Sequence, residues 1–425
     1  MSDNFYYTAQ RERCLLVSVD LHQKNQWPVG DIARELVDLT RSTGAEVSNE
    51  LTLSRKEPTP NLYLGRGKAE EIAAICQEKK IDTVVFNNDL SGTQQRNLEE
   101  LLGVKTIDRT QLILDIFARH AHSPEGKMQV ELAQLEYLLP RLAGKGIMLS
   151  RLGGGIGTRG PGEQKLEVDR RRIRSRIDKL RKEISLISKH RQLIRKKRRE
   201  NALPTVALVG YTNAGKSTLL NALADARQPV RDSLFTTLDT VSKRLNLPDN
   251  QTAVLSDTVG FLYHLPHHLI EAFKATLEEV KEADLLLHVL DVSNPNFHRL
   301  NEAVFSVLAE LGCAEKPLLT ALNKIDRLED RDWLALHRRD FPESVAISAL
   351  LKENLPELVA QISRHFVLEI QTLEIELPLS RMDLVAMLHE EGRVENIEYT
   401  AKTIRIRAKV NSITVGKIRR KILKS

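Results

Sequence analysis

The 425-residue chain exceeds one ordinary domain and, at about 150 residues each, predicts about three. Its 41% hydrophobic and 28% charged content excludes a disordered or fibrous protein. The start MSDNFYYTAQRER does not read as a secretory signal, no run reaches the roughly 18 apolar residues of a spanning helix, and Cys14, Cys76 and Cys313 lack disulfide, zinc or redox spacing; a reduced, cytoplasmic protein is expected.

From about residue 10 to 120, strand-like and helix-like patterns alternate: CLLVSVD, DIARELVDLTRS, AEVSNELTL, KAEEIAAICQEK, DTVVFN, SGTQQRNLEELLG, VKTIDR and TQLILDIFARH. Alternation of this kind predicts a small N-terminal α/β domain, residues 1–125. Within it GRGKAEEI, Gly65 to Ile72, is either a phosphate-binding turn or a plain helix start, and the plain reading is preferred.

A heptad seam follows, Met128, Leu132, Leu135, Leu139 and Leu142, and a second one comprises Ile173, Ile177, Leu180, Ile184 and Ile187. Two narrow apolar stripes predict an antiparallel helical hairpin over 126–202, with Pro140 kinking or ending its first helix. The connection, LGGGIGTRGPGEQ, is a passive linker or a loop that orders on a partner, with Arg151 and Arg159 at the tip. The second helix is strongly basic: Asp169 to Glu200 holds fifteen Lys and Arg against four Asp and Glu, while the whole chain carries only +6. A solvated face would be neutralised by pairing, so this excess predicts a polyanion partner. RNA fits better than membrane, because bulky interfacial aromatics are absent from this helix. RKKRR also resembles a nuclear localisation signal, without other support in the chain.

The alternation resumes over 203–368 as a doubly wound, mostly parallel α/β domain. Residues 369–425 read as strand, helix, strand, strand, helix, a small α+β domain whose chemistry the sequence does not reveal.

The third segment carries the motifs. Between TVALV and LLNALADA lies Gly210-Tyr211-Thr212-Asn213-Ala214-Gly215-Lys216-Ser217-Thr218, a phosphate loop in its required place between strand and helix. Its amides and helix terminus would cradle the β-phosphate, Lys216 would bridge the β- and γ-phosphates, and Ser217 would ligate Mg²⁺. In SLFTTLDT, spanning Phe235, Thr236, Thr237, Leu238 and Asp239, one threonine should reach Mg²⁺, and Thr237 is preferred. In the Asp257-Thr258-Val259-Gly260 motif, Asp257 would hold a Mg²⁺-bound water, and the Gly260 amide would sense the γ-phosphate.

The purine is chosen by NKID. Asp326 can accept two hydrogen bonds from guanine N1–H and the 2-amino group, whereas adenine leaves the carboxylate unpaired. Each such bond contributes about 1.5 to 3 kcal/mol, so GTP is the expected ligand. Asn323 would tie the base loop to the phosphate loop, the Lys324 stem would pack on the base, and the backbone around Ser348, Ala349 and Leu350 would meet guanine O6.

The order of phosphate loop, Thr, D-x-x-G, N-K-x-D and S-A is that of a translation-factor-class GTPase. Together with GGGIGTRGPGEQKLEVDRRRIRSRI and GRGKAEEI, these motifs resemble the HflX family of ribosome-associated GTPases over about residues 10 to 370. The resemblance implies an N-terminal α/β domain with a helical hairpin, a G domain and a variable C-terminal domain. It also implies GTP-dependent binding to the large (50S) ribosomal subunit and its rRNA, in dissociating stalled ribosomes under stress or in subunit maturation. Residues 370–425 match less clearly. A monomer is expected.

Many GTPases carry a water-orienting glutamine after D-x-x-G, but Phe261 stands here. Lys216, Thr237, Gly260 and Asn213 are the remaining catalytic candidates, and unassisted turnover should be slow, on the order of 10⁻⁴ to 10⁻² s⁻¹. Asn213 is read equally as a ligand for an assisting K⁺ and as a turn residue. His264, His267 and His268 lack ligand spacing for a metal and read as candidate RNA contacts. The alternative to a ribosome factor is a nucleotide-regulated RNA-binding or remodelling protein, with a second nucleotide site at GRGK in its N-terminal domain.

Overall fold

The computed structural model describes residues 11–22, 27–142, 161–200, 203–224, 241–248, 251–263, 274–330, 340–366 and 370–423. The chain divides into two compact units, one formed mainly by residues up to Ile187 and one mainly from Ser188 onward.

The first unit is an all-parallel four-stranded sheet in the order β2-β1-β3-β4, built from β1 (Arg13–Asp20), β2 (Glu46–Ser54), β3 (Thr83–Phe86) and β4 (Lys105–Asp108). Apolar runs such as Leu15, Leu16 and Val17 are buried, as strands covered on both faces require. Helices α1 (Val29–Ser42), α2 (Arg66–Glu78) and α3 (Gly92–Leu102) supply the crossovers, and α4 (Arg109–His120) follows the last strand. Ser91 and Gln94 form a capping box at α3, which Gly103 closes in the left-handed conformation.

Helix α5 (Pro124–Arg141) contains Pro140 in its last turn and stops there. It packs on α6 (Pro161–Glu200) through Leu132, Ile177 and Leu180, joined by half-buried Met128, Leu135, Leu139, Ile173 and Ile184. Leu142 and Ile187, the last residues of each seam, lie outside this cluster. Charge pairing also crosses the hairpin: Arg176 binds Glu131 at 2.6 and 2.7 Å, and Arg181 binds Glu136 at 2.7 Å. Both carboxylates come from α5, outside the basic segment Asp169 to Glu200. The hairpin is anchored to its sheet by the buried Asp108 carboxylate, which accepts from Tyr137 Oη at 2.8 Å and Arg141 Nη2 at 3.0 Å.

The second unit holds a six-stranded sheet in the order β10-β9-β8-β5-β7-β6. Its strands are β5 (Thr205–Val209), β6 (Val241–Asn246), β7 (Thr252–Asp257), β8 (Leu285–Asp291), β9 (Leu318–Asn323) and β10 (Ser344–Ala346), and only β6 runs antiparallel to its neighbour. Helices α7 (Lys216–Leu223), α8 (Lys274–Glu282), α9 (Phe297–Glu310) and α10 (Leu355–Phe366) complete this α/β layer structure. Leu208, Leu255, Leu287, Val289 and Leu319 fill its core, leaving the loops after β5, β7, β8 and β9 at one end of the parallel strands.

The last segment pairs β11 (Ile370–Pro378), β12 (Gly392–Tyr399) and β13 (Thr403–Asn411) as β11-β13-β12, with α11 (Met382–Glu391) and α12 (Ser412–Leu423) supplying Leu384, Leu388 and Ile418 to its core. Alternation along β13 leaves Arg405, Arg407 and Lys409 on ion pairs with Glu376, Glu374 and Glu395 of the flanking strands. All three cysteines are free and buried. Among the described residues no helix is long and apolar enough to cross a membrane.

Candidate nucleotide site

The turn from β5 to α7 takes a path that few residues allow. Gly210 has φ 153°, Asn213 φ 60° and Gly215 φ 96°. A Cβ on Gly210 would collide with the Val289 carbonyl oxygen, and one on Gly215 with Asn323 Nδ2, so both glycines are needed for conformation and for space. The curled backbone turns carbonyls on the Lys216 ammonium, which donates to Gly210 O at 3.0 Å and Tyr211 O at 2.7 Å. Lys216 is only 6% exposed, and burial pulls its pKa down to about 8, opposed by Asp257 and reinforced by Lys324. Thr218 lies in the first turn of α7, while Asn213 is exposed at the loop's crest.

Ser217 Oγ donates to Asp257 Oδ2 at 2.7 Å, joining the phosphate loop to the end of β7. Hydroxyl and carboxylate oxygens are the donors a hard cation such as Mg²⁺ takes, so this pair fits that ion. Thr258 Oγ1 donates to Leu208 O at 2.6 Å and fixes the start of the loop. Beyond Val259, a short strand-like seam joins two motifs: Thr212 N–H donates to Phe261 O at 3.0 Å and Phe261 N–H to Gly210 O at 3.1 Å. Tyr211 Oη accepts from Tyr263 N–H at 2.9 Å. A Cβ on Gly260 would lie 2.8 Å from Thr212 Cγ2 and 3.0 Å from Lys216 Nζ, so this glycine sits directly against the lysine. Phe261, read from the sequence as the residue in the glutamine's place, has its ring buried.

At the base end, Asn323 Nδ2 donates to Ala214 O at 2.8 Å and its Oδ1 accepts from Ala349 N–H at 3.0 Å, so one side chain joins three motifs. Asp326, in the turn Ile325–Arg327, accepts from Ser348 Oγ at 2.6 Å. Leu350 projects into solvent beside them. Lys324, at φ 67°, places its Nζ 2.6 Å from Asp291 Oδ2. The sequence motifs do not include Asp291; the signal was an acidic residue ending a central parallel strand, next to the turn that carries NKID. The close approach of Val289 to Gly210 and the seam at Phe261 likewise belong to no sequence motif. Phe235, Thr236, Thr237, Leu238 and Asp239 lie outside the described residues, as do His264, His267 and His268 and the glycine-rich stretch up to Gly160.

The GRGK turn differs. Gly65 is the extended N-cap of α2 at φ −72°, without a side-chain cap. Lys68 pairs with Glu71 and Arg66 with Glu70, along the helix. A cavity of about 870 Å³ adjoins it, lined among others by Ser54, Arg55, Lys56 and Lys68. Among the described residues no group of three or more His, Cys, Asp and Glu stands ready to hold a metal ion.

Comparison with known proteins gives matches in consecutive segments. Residues 31–118 match the GTP-binding GTPase N-terminal model, 120–198 the GTP-binding GTPase middle region, and 205–324 the 50S ribosome-binding GTPase. The GTPase HflX of Caldanaerobacter subterraneus subsp. tengcongensis is 47% identical over 400 residues, 94% of this chain and 91% of its own. That of Escherichia coli is 42% identical over 372 residues, 87% of this chain and 85% of its own. A solved structure of a GTP-binding protein from Sulfolobus solfataricus in complex with GDP is 26% identical, covers 84% of this chain and 98% of its own, and has a TM-score of 0.44.

Proposed function

Since this chain belongs to the HflX family of GTPases, we propose that it couples GTP binding and hydrolysis to association with the large ribosomal subunit, through rRNA. It is a GTPase. The observation that carries it is Asn323, whose amide joins the phosphate loop, NKID and the Ser348-Ala349 turn, so that phosphate and base readers act on one ligand.

In this reading the amides from Tyr211 to Thr218 hold the phosphates, Lys216 lies between the β- and γ-phosphates, and Asp326 takes the guanine edge. Ser217 and Thr237 would hold Mg²⁺, with Asp257 reaching it through a bound water, and the ion when bound neutralises phosphate charge. Gly260 presents its amide to the γ-phosphate, and the Phe261 seam passes any movement of that glycine to Thr212 and Tyr211. Phe261 has no polar atom to orient water, so hydrolysis is slow until a partner completes the site. The partner reading is supported by the segment Asp169 to Glu200, whose fifteen Lys and Arg exceed its own four carboxylates and the two of α5 that pair with it, and by the ribosome-binding model matched over 205–324. GTP contacts favour the ribosome-gripping conformation and hydrolysis permits release. Splitting of stalled ribosomes and subunit maturation are both compatible tasks. We place the protein in the cytoplasm as a monomer, with segments 1–125, 126–202, 203–368 and 369–425 as its domains.

Sedimentation with purified 50S subunits tests this. Co-sedimentation should be strongest with a non-hydrolysable GTP analogue and weaker with GDP or no nucleotide; equal binding in all three would remove the coupling.

A second reading rests on the cavity beside GRGK, lined by Arg55, Lys56 and Lys68, which suit a polyphosphate, and by Glu57, which opposes one. There the N-terminal domain holds its own nucleotide and the protein acts as a nucleotide-regulated RNA-binding factor. Tight ATP binding that survives Lys216→Ala but not Lys68→Ala would support it.

A further inference from the structure

Strand β8 runs between β5, which carries the phosphate loop, and β9, which carries NKID. It ends in Asp291, directly opposite Asn323 in the parallel register. The Val292 N–H donates to Asn323 O at 3.1 Å, holding the two strand ends together. Asp291 is then fixed from its other side: Ser293 N–H and Ser293 Oγ both donate to Oδ1, at 3.0 and 2.6 Å. Its remaining oxygen, Oδ2, lies 2.6 Å from Lys324 Nζ, and both side chains are largely sheltered, at 16% and 13% exposure.

A lysine whose backbone is left-handed and whose stem must lie flat on a purine gains little from a freely rotating head group. A carboxylate that is itself held by two donors sets where the ammonium rests, and so where the stem lies. It also neutralises a cation close to Lys216, whose own pKa Lys324 helps to depress. We propose that Asp291, with Ser293 holding it, is a positioning residue for guanine binding that acts through Lys324. The inference rests on the guanine site described above and adds a strand end that none of the nucleotide motifs contains.

The base contacts are the same in GTP and GDP, so loss of Asp291 should weaken both alike and leave the phosphate end untouched. In the full chain, Asp291→Ala should raise the Kd for fluorescent GTP and GDP analogues by about tenfold each, with kcat at saturating GTP within about twofold of the unmodified protein. Asp291→Asn, nearly isosteric and still able to accept from Ser293, should fall in between, and it guards against a folding defect in the alanine variant. The decisive measurement is a double-mutant cycle: in a Lys324→Ala background, Asp291→Ala should cost less than twofold further. Additive losses in that cycle, or a fall in kcat with unchanged affinities, would overturn the proposal. Binding of the analogues by the unmodified chain is the control that separates these outcomes from failure of the guanine reading itself.

Discussion

The two α/β sheets each lead from a strand into a helix that begins near Gly-x-Gly or Gly-Lys, yet the two junctions differ in backbone and in what holds the lysine. At the β5 to α7 turn, three residues are left-handed or beyond, the lysine is buried, and its ammonium is held by carbonyls of its own loop. At α2 the cap is ordinary extended backbone, a Cβ on Gly67 meets nothing, and Lys68 is spent on a helix neighbour. What separates them is backbone handedness, since only the curled path turns successive amides to one point. Glycine beside lysine is therefore not enough.

The comparison is easiest to break at the two lysines. Lys216→Met should lower GTP turnover by about a thousandfold, since it removes the charge that meets the transferring phosphoryl group. Lys68→Met should leave turnover within about twofold. Equal losses in a steady-state GTPase assay would mean the two junctions share one function.

Next in size is the base. Asp326→Ala should raise the Kd for GTP by about a hundredfold while barely changing that for ATP, because the lost hydrogen bonds are to groups that only guanine offers. Competition against a fluorescent guanine nucleotide would measure it, and parallel losses for both purines would contradict the assignment.

The glycines sharpen the contrast in stability. Gly215→Ala adds a Cβ at positive φ against Asn323 Nδ2 and should destabilise the G domain by about 2 to 3 kcal/mol, breaking the link between base and phosphate loops. Gly67→Ala should instead be neutral or stabilise α2 by up to about 1 kcal/mol. Chemical unfolding of both variants would decide, and a reversed order would mean that loop strain is not what distinguishes them.

How much of this was legible in the sequence follows from what each feature requires. A phosphate loop needs glycine at fixed intervals, and the hairpin needs apolar residues at alternating threes and fours; both are local, so Gly210, Gly215, Leu132 and Leu180 stand out in the sequence. Asp291 matters only because β8 aligns with β9 and places it opposite Asn323, and Glu131 and Glu136 meet the basic helix only through the helix pairing. Phe261 reads as a missing glutamine in the sequence, whereas the fold shows what its backbone does: it zips the D-x-x-G loop to the phosphate loop.

His288 is another product of the lateral register. It lies beside Val209, wholly buried, with neither ring nitrogen partnered among the described residues, and burial pulls its pKa down to about 3, with Lys216 adding to the shift. A folded pKa below the unfolded value means stability present above about pH 6.5 and lost as pH falls toward 3. Between pH 7 and 5 this should remove about 2 kcal/mol, and His288→Leu should flatten that part of the pH profile. An unchanged profile would show that other groups govern acid sensitivity. The smallest expected effect concerns Asn213: its φ of 60° fits a turn residue and its exposure leaves it free to meet a cation, so turnover should rise a few-fold when K⁺ replaces Na⁺ at constant ionic strength. No difference would leave it as a turn residue alone.

A single site, between the curled loop and NKID, is proposed to select guanine nucleotides. Calorimetric titration of the full chain with GTP and separately with ATP tests it most directly. The prediction is one GTP per chain, an affinity for GTP at least about a hundredfold above that for ATP, and a fall of the GTP affinity to about that for ATP in Asp326→Ala. Equal binding of the two triphosphates, or a GTP affinity unchanged in Asp326→Ala, would contradict it.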